Sequence, residues 1–120
     1  MFGIEDKEIS KLIAATDYSE ALTITSSGKE VESACESARK YGFRAVVAFP
    51  QYIGLLVDAL KGTEVRAQIP VGFPCGGVTT HVKCTEAQQG LERGATDLDM
   101  VMNISAFMEK DYSRVKSDIQ

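Results

Sequence analysis

The chain alternates between short apolar runs and amphipathic helical patterns from one end to the other, with about 25–30 residues in each pair. The apolar runs predict strands at 12–16, 45–49, 65–73 and 94–104, and the helical patterns predict crossover helices at 30–41, 53–61, 80–93 and 111–120. Another short helix is predicted at 6–11. Because parallel strands need a crossover connection, usually a helix, this order indicates an α/β fold of four βα units. No linker or change of composition divides residues 1–120, which predicts one domain ending within its fourth crossover helix.

Glycines and a threonine mark the predicted helix ends. Gly42 and Gly62 follow two of the crossover helices and are typical of C-caps. Thr80 is the predicted N-cap of the third crossover helix. The residues expected on the inner face of that helix are Val82, Ala87 and Leu91.

Charge and composition exclude several classes of function. The formal net charge is −4, and acidic and basic residues are mixed along the chain. This balance argues against a nucleic-acid partner and against attraction to an anionic membrane. No apolar run approaches the roughly 20 residues of a membrane span. The acidic start lacks the pattern of a secretory signal, so we expect a cytoplasmic protein.

The cysteines and the single histidine give no sign of a metal site. Cys35, Cys75 and Cys84 fit no C-x-x-C motif, and free thiols in a reducing compartment are the favoured interpretation. His81 is the only histidine, which rules out a histidine-rich cluster, and its place near a helix start favours a surface residue. We therefore expect no bound metal ion.

Asp99 stands in the middle of an otherwise apolar strand, 94–104. Burying an ionised carboxylate without a partner costs several kcal/mol or raises its pKa, so a strand that keeps one is a candidate active-site strand. An acid at a strand end, solvated or bonded to backbone amides, is the alternative. Alternation along the strand puts Asp99, Val101 and Asn103 on one face. The opposite face is apolar and is expected to pack on helices; it carries Leu98, Met100 and Met102.

Parallel α/β proteins carry their working residues at the carboxyl ends of the strands. The candidate places here are Thr16 with Asp17, Phe49 with Pro50, the loop 72–80, and Asp99 with Asn103. The Gly76-Gly77 pair before a helix could cradle a phosphate with backbone N–H groups, but it matches no phosphate-loop motif. A βα turn that needs glycine dihedral angles is the favoured interpretation.

Several segments together resemble one enzyme family. Residues 41–50 (YGFRAVVAFP) resemble the second-strand region of the deoxyribose-phosphate aldolases. Residues 71–87 resemble the third strand, loop and helix of that family at VGFP, TT, VK and EA. Residues 94–104 (GATDLDMVMNI) resemble its fourth strand, and Leu12, Ile13 and Thr16 its first. The match covers nearly the whole chain in one order, with a few extra residues after Thr16.

The resemblance implies a (β/α)8 TIM barrel, of which this chain covers about the first four βα units. It also implies a class I aldolase that cleaves 2-deoxy-D-ribose 5-phosphate to glyceraldehyde 3-phosphate and acetaldehyde through a lysine Schiff base, with no metal or other cofactor. Asp99 matches the family's catalytic aspartate, which moves protons together with lysines. Thr16 and Asn103 are the expected substrate-binding residues, and the small-molecule partner is a sugar phosphate.

The chain departs from the family in three ways. Ala14-Ala15 stands where many relatives have an Asp-His pair, and Asp17 is a candidate to replace that contact. Val47 stands where many relatives have a cysteine. The Schiff-base lysine belongs to the family's second half, and every lysine here falls on a predicted helix or loop. Among these lysines, Lys83, in the first turn of its helix, is the candidate substitute for the Schiff-base lysine.

These observations leave three hypotheses. The leading one is the N-terminal half of a deoxyribose-phosphate aldolase, inactive alone, which forms a homo-oligomer or associates with a missing C-terminal half. The second is a non-catalytic binding or assembly module derived from the aldolase. The third sets the family aside in favour of a doubly wound, flavodoxin-like protein that holds a phosphate at Gly76-Gly77.

Overall fold

A computed structural model describes residues 6–120 of the chain. The start of the chain, on which the expectation about a secretory signal rests, lies outside the described residues. In order, the elements are α1 (Asp6–Ala14), β1 (Asp17–Tyr18), α2 (Gly28–Tyr41), β2 (Ala45–Val47), a 3-10 turn (Pro50–Tyr52), α3 (Ile53–Leu60), β3 (Arg66–Val71), α4 (Thr80–Glu92), β4 (Asp97–Met100), α5 (Ile104–Met108) and α6 (Tyr112–Ile119).

The strands form one parallel sheet in the order β1-β2-β3-β4. Neighbours in sequence are neighbours in space, as in a barrel, whereas a doubly wound sheet reverses its strand order. The core also lies on one face of the sheet, where Val46, Ala67 and Ile69 pack with residues of α2 and α3. The flavodoxin-like hypothesis is therefore wrong.

The predicted helices with clear end signals are confirmed. α2 begins two residues earlier than expected, at Gly28, and the Ser27 N–H donates to Glu30 Oε2 at 2.8 Å before the first turn. It ends at Gly42, whose φ of 76° is left-handed. α3 buries Leu56 and Leu60 as expected, but its C-cap is Lys61 rather than the predicted Gly62. Gly62 is the next residue, with a left-handed φ of 75°.

The predicted first strand, Leu12–Thr16, is wrong. α1 continues to Ala14, and the Thr16 hydroxyl donates to the Leu12 carbonyl oxygen at 2.6 Å, as at a helix end. Leucine and alanine favour the helix, and the strand begins where the backbone can pair with β2, at Asp17 opposite Ala45.

The inner face of α4 also differs from the prediction. Val82 and Leu91 are 46% and 54% exposed, and the inner stripe contains Lys83 and Gly90. Gly90 lets α4 lie close to β3, because a Cβ there would be 2.1 Å from Ile69 Cδ1. The N-cap is Thr79, not Thr80, and its side chain accepts from the Val82 N–H.

β4 is shorter than the predicted strand 94–104, because it ends at Met100 and a helix begins at Ile104. Leu98 lies toward Gly90 of α4, as expected for the helix-facing side. It and Met102 nevertheless stay more than a third exposed, so the predicted packing of this face is incomplete. None of the helices within residues 6–120 combines the length and apolar character needed to cross a membrane.

Candidate active site

Asp99 lies on the inner side of the sheet, away from the helices. It is the third residue of β4 and pairs with Pro70 of β3, and its neighbour Leu98 faces α4. Its side chain is exposed and makes no hydrogen bond or ion pair with the rest of residues 6–120. Of the two interpretations that the sequence left open, a buried acid and a solvated one, the described residues show the solvated one. The carboxylate is therefore accessible to a group on the inner side of the sheet.

Asn103 follows β4 and is buried, but it does not continue the strand face of Asp99. It is the N-cap of α5, where its Oδ1 accepts from the Ala106 N–H at 3.0 Å. The strand ends at Met100 because the backbone then turns into this cap. The cap uses the oxygen of the amide and fixes the side chain just beyond the Asp99 strand.

Thr16 and Asp17 lie at the other end of the sheet. Thr16 precedes β1 and its hydroxyl is directed back to α1, so it is not brought together with Asp99. Asp17 Oδ1 lies 3.1 Å from Arg44 Nε in an ion pair without a well-aligned hydrogen bond. The suggested replacement of the missing Asp-His contact by Asp17 is therefore not supported.

Arg44, Arg66 and Asp97 complete a network at this amino end, which sequence reasoning missed. Asp97 Oδ2 lies 2.6 Å from Arg44 Nη1, and its Oδ1 lies 2.8 Å from Arg66 Nη1. The signal in the sequence was a charged residue at or just before the start of each strand, acidic for the outer strands β1 and β4 and basic for the inner strands β2 and β3. Together with the Asp17–Arg44 pair, these ion pairs join the four strands at their amino ends.

The loop after β3 is a turn that requires glycine. Gly72 and Gly76 have φ values of 69° and 65°, and a Cβ on Gly76 would lie 1.9 Å from the Met102 carbonyl oxygen. The Gly72 N–H donates to Glu86 Oε2 at 2.7 Å, and the Gly76 N–H donates to the Gly72 oxygen at 2.8 Å. The left-handed φ of Gly76 confirms the turn interpretation, and because its N–H is engaged with Gly72, it is not free to join the Gly77 N–H in a phosphate cradle.

Lys83 lies on α4 as predicted, but its side chain is only 2% exposed. Its Nζ donates to Asp118 Oδ2 at 2.5 Å and to the Val101 carbonyl oxygen at 2.8 Å. The hydrogen bond from Lys83 lowers the pKa of the Asp118 carboxyl, and the Thr80 hydroxyl adds to this effect against the cost of burial. An amine held in this way is not a free nucleophile, so the substitute role suggested for Lys83 is not supported.

A groove of about 500 Å³ lies between the 3-10 turn and α4. Its lining includes His81, Glu86 and Arg93, and neither Asp99 nor Asn103 contributes to it. His81 is exposed in the first turn of α4, as the sequence indicated. No group of three possible metal ligands occurs in the part of the chain that the structure describes.

A parallel sheet in sequential order, helices on one face and an acid on the other define part of a (β/α)8 barrel. A scan against protein-family models gives no match. The deoxyribose-phosphate aldolase of Clostridium tetani is 41% identical over 92 residues, which are 77% of this chain and 43% of that protein. By sequence and fold, the chain belongs to the deoxyribose-phosphate aldolase family.

Solved structures agree with this assignment. A structure from Coccidioides immitis aligns with a TM-score of 0.88 and 34% identity, over 93% of this chain and 44% of that one. The tetrameric deoxyribose phosphate aldolase of Aeropyrum pernix aligns with a TM-score of 0.73 and 32% identity, over 80% of this chain and 41% of that one. The chain thus spans about half the length of the relatives it matches.

Proposed function

We propose that these residues form the N-terminal half of a deoxyribose-phosphate aldolase barrel and supply its proton-transfer acid, Asp99. The substrate is 2-deoxy-D-ribose 5-phosphate, which is cleaved to glyceraldehyde 3-phosphate and acetaldehyde. The observation that carries the proposal is the position of Asp99 on the inner face of β4, exposed and without a partner among residues 6–120. Asn103, buried at the end of the same segment, is the proposed substrate-binding residue on this side.

The reaction needs an amine that these residues do not offer. An amine must add to the substrate's carbonyl and lose water, and protons must then move on and off the adjacent carbon. Asp99 suits the proton transfers, whereas Lys83 is engaged with Asp118. We therefore propose that the Schiff-base lysine comes from a complementary half, and that these 120 residues alone are inactive.

The surface of the chain supports such a partner. Its accessible area is 8187 Å². A compact monomer of its mass would expose roughly 6,300 Å² and have a radius of gyration of about 13.6 Å, against the observed 16.1 Å. The excess of roughly 1,900 Å² on this one chain is more than the about 800 Å² that each partner buries in an interface of standard size, and it suits the larger interfaces of permanent complexes. Both outer strands, β1 and β4, have one neighbour in the sheet.

The inner face and the side of the chain near β4 also offer groups for a partner. Gln68 is buried opposite Asp97, yet its Oε1 has no hydrogen-bond partner within the described residues. A donor from a complementary half would satisfy it. Large apolar side chains that follow β4 are exposed; they are Met102, Ile104, Phe107, Met108, Tyr112 and Ile119.

A cytoplasmic location is part of the proposal. The three cysteines are free thiols, two of them exposed, which suits a reducing compartment.

The alternative, a non-catalytic assembly module, is favoured by one observation. Ala14 lies in α1, and Thr16 lies at the amino end of β1, so the expected contacts of the first strand do not gather near Asp99. Such a module would keep the interface and lack the chemistry.

Coexpression with the remaining half of the Clostridium tetani relative tests the proposal. We expect a stable complex that releases glyceraldehyde 3-phosphate, and we expect Asp99→Asn to lower the rate by about 100-fold or more. Asp58→Asn, which changes an exposed acid of α3, is the matched control and leaves the rate unchanged. A complex without activity would favour the assembly module, and the absence of any complex would contradict the proposed interface.

A further inference from the structure

The Lys83 side chain packs against Gly72, where any larger residue would crowd it. It passes beneath the end of β3, where a Cβ on Gly72 would lie 2.9 Å from Lys83 Cε. Gly72 also has a left-handed φ of 69°, which favours glycine on its own account. The close approach brings the ammonium from the outer helix α4 to the carboxyl ends of β3 and β4.

At that position the ammonium joins two other parts of the chain. It donates to the Val101 carbonyl oxygen, two residues beyond Asp99, and to Asp118 of α6. The second oxygen of Asp118 accepts from the Thr80 hydroxyl at 2.8 Å, so both carboxylate oxygens have partners. One buried group therefore connects β4, α4 and α6.

The segment that leaves Asp99 is held at three consecutive residues. Lys83 binds the Val101 oxygen, Gly76 lies against the Met102 oxygen, and Asn103 caps α5. The Val101 N–H also donates to the Val71 oxygen at 2.9 Å. Little freedom remains in the backbone between Asp99 and α5.

Stability alone does not explain a buried ion pair here. Desolvation offsets most of the attraction, and well-packed apolar residues of similar volume often serve as well or better. Asp118 is the buried residue of α6, while Tyr112 and Ile119 of the same helix are exposed. The pair fixes the position of the backbone instead, because the directional hydrogen bond from Lys83 determines where the Val101 carbonyl oxygen lies.

We propose that Lys83 and Asp118 are positioning residues that hold the end of β4 and thereby orient the Asp99 carboxylate toward the inner face. The inference rests on the proposed function only for what Asp99 does. The orientation of the Asp99 carboxylate is a property of this chain alone, and it can be measured without a substrate.

The test compares two ends of the same strands by NMR on the whole chain. The double variant Lys83→Met with Asp118→Leu replaces the pair by apolar side chains, and Arg66→Met removes an ion pair from the amino end as the matched control. In the double variant we expect amide exchange at Val101 and Ala106 to rise about tenfold or more and the Asp99 carboxyl ¹³C resonance to shift. Val46 and Ile69 should keep their exchange rates, and the control should leave Val101, Ala106 and Asp99 unchanged.

Asp118→Asn is measured in parallel, because it keeps the shape of the side chain and remains informative if the double variant fails to fold. It is expected to shift the same resonances by a smaller amount. Unchanged Asp99 resonances and protected Val101 and Ala106 amides in a folded variant would overturn the proposal. In the coexpressed complex, the double variant should lower kcat and leave KM near its original value. If the variants alter the Asp99 resonances but the unmodified complex shows no turnover, the positioning role is supported and the proposed function is rejected.

Discussion

Ion pairs lie at both ends of the parallel sheet, between strands at the amino end and between helices α4 and α6 at the carboxyl end, and the two ends differ in exposure. At the amino end, the side chains of Arg44 and Arg66 are 40% and 56% exposed, and they share Asp97. At the carboxyl end, the side chains of Lys83 and Asp118 are 2% and 3% exposed. Water and salt weaken the ion pairs at the amino end. At the carboxyl end, removing either partner would leave a buried charge without compensation and would strongly lower the free energy of unfolding. The positions of the side chains are therefore more strictly fixed at the carboxyl end, which carries Asp99, than at the amino end.

Removing one partner of the buried pair should have the largest effect. Lys83→Ala leaves Asp118 buried without its main partner, and we expect a loss of about 3–5 kcal/mol in the free energy of unfolding. Urea denaturation followed by circular dichroism measures this. A loss below about 1 kcal/mol would place the pair with the weak surface ion pairs and remove the contrast between the ends.

Gly76→Ala should have the next largest effect, at the same end. The new Cβ would lie 1.9 Å from the Met102 oxygen at a left-handed φ of 65°, so strain and crowding add up to a loss of about 2–4 kcal/mol. Gly77→Ala is the control, because its Cβ would have the Cys75 Sγ at 3.7 Å as its nearest neighbour. Equal losses for the two variants in thermal denaturation would show that the close approach at Gly76 is not needed.

The buried ion pair at the carboxyl end should make the free energy of unfolding depend on pH in a defined direction and over a defined pH range. The pKa of Asp118 is lowered from its ordinary value of 3.8 chiefly by the Lys83 hydrogen bond. A lowered pKa in the folded state means that this stabilisation is present above the unfolded value and is lost as the pH falls through the folded one. The stability difference between the chain and Asp118→Asn should stay constant between about pH 5 and 8 and shrink below about pH 4. A difference that instead grew on acidification would contradict this assignment.

The smallest effect is expected at the amino end. Arg66→Gln removes one exposed partner of Asp97, and we expect a change of less than about 1 kcal/mol that disappears in high salt. Denaturation curves at low and high ionic strength measure it. A loss of unfolding free energy that is independent of salt and as large as that of Lys83→Ala would contradict the expected difference between the two ends of the sheet.

The sequence predicted the parts of the fold that depend on local signals. α2 and α3 end near glycines, and β2 and β3 are apolar runs bounded by turn residues, so the order of elements was accessible from local patterns. The barrel family came instead from the resemblance of whole segments, such as residues 41–50 and 94–104, to the aldolases. β1 was not accessible, because its two residues are defined by pairing with β2 rather than by their own pattern.

The candidate site was predicted less completely, for a related reason. Asp99 was found because an acid interrupts an apolar strand. The burial of Lys83 was missed because its partner Asp118 lies 35 residues away on another helix. Asn103 was assigned to the strand because alternation continues through it, whereas the structure uses it to begin a helix. Long-range partners of this kind leave no periodic signal.

We propose that these residues supply the acid of a Schiff-base aldolase and that the reacting amine comes from a complementary half. Sodium borohydride reduction in the presence of acetaldehyde, followed by mass spectrometry, tests it most directly. We expect only slow, scattered modification of exposed lysines, at a rate that Asp99→Asn does not change. A single saturable adduct on one lysine of this chain, dependent on Asp99 and accompanied by cleavage of the sugar phosphate, would contradict it.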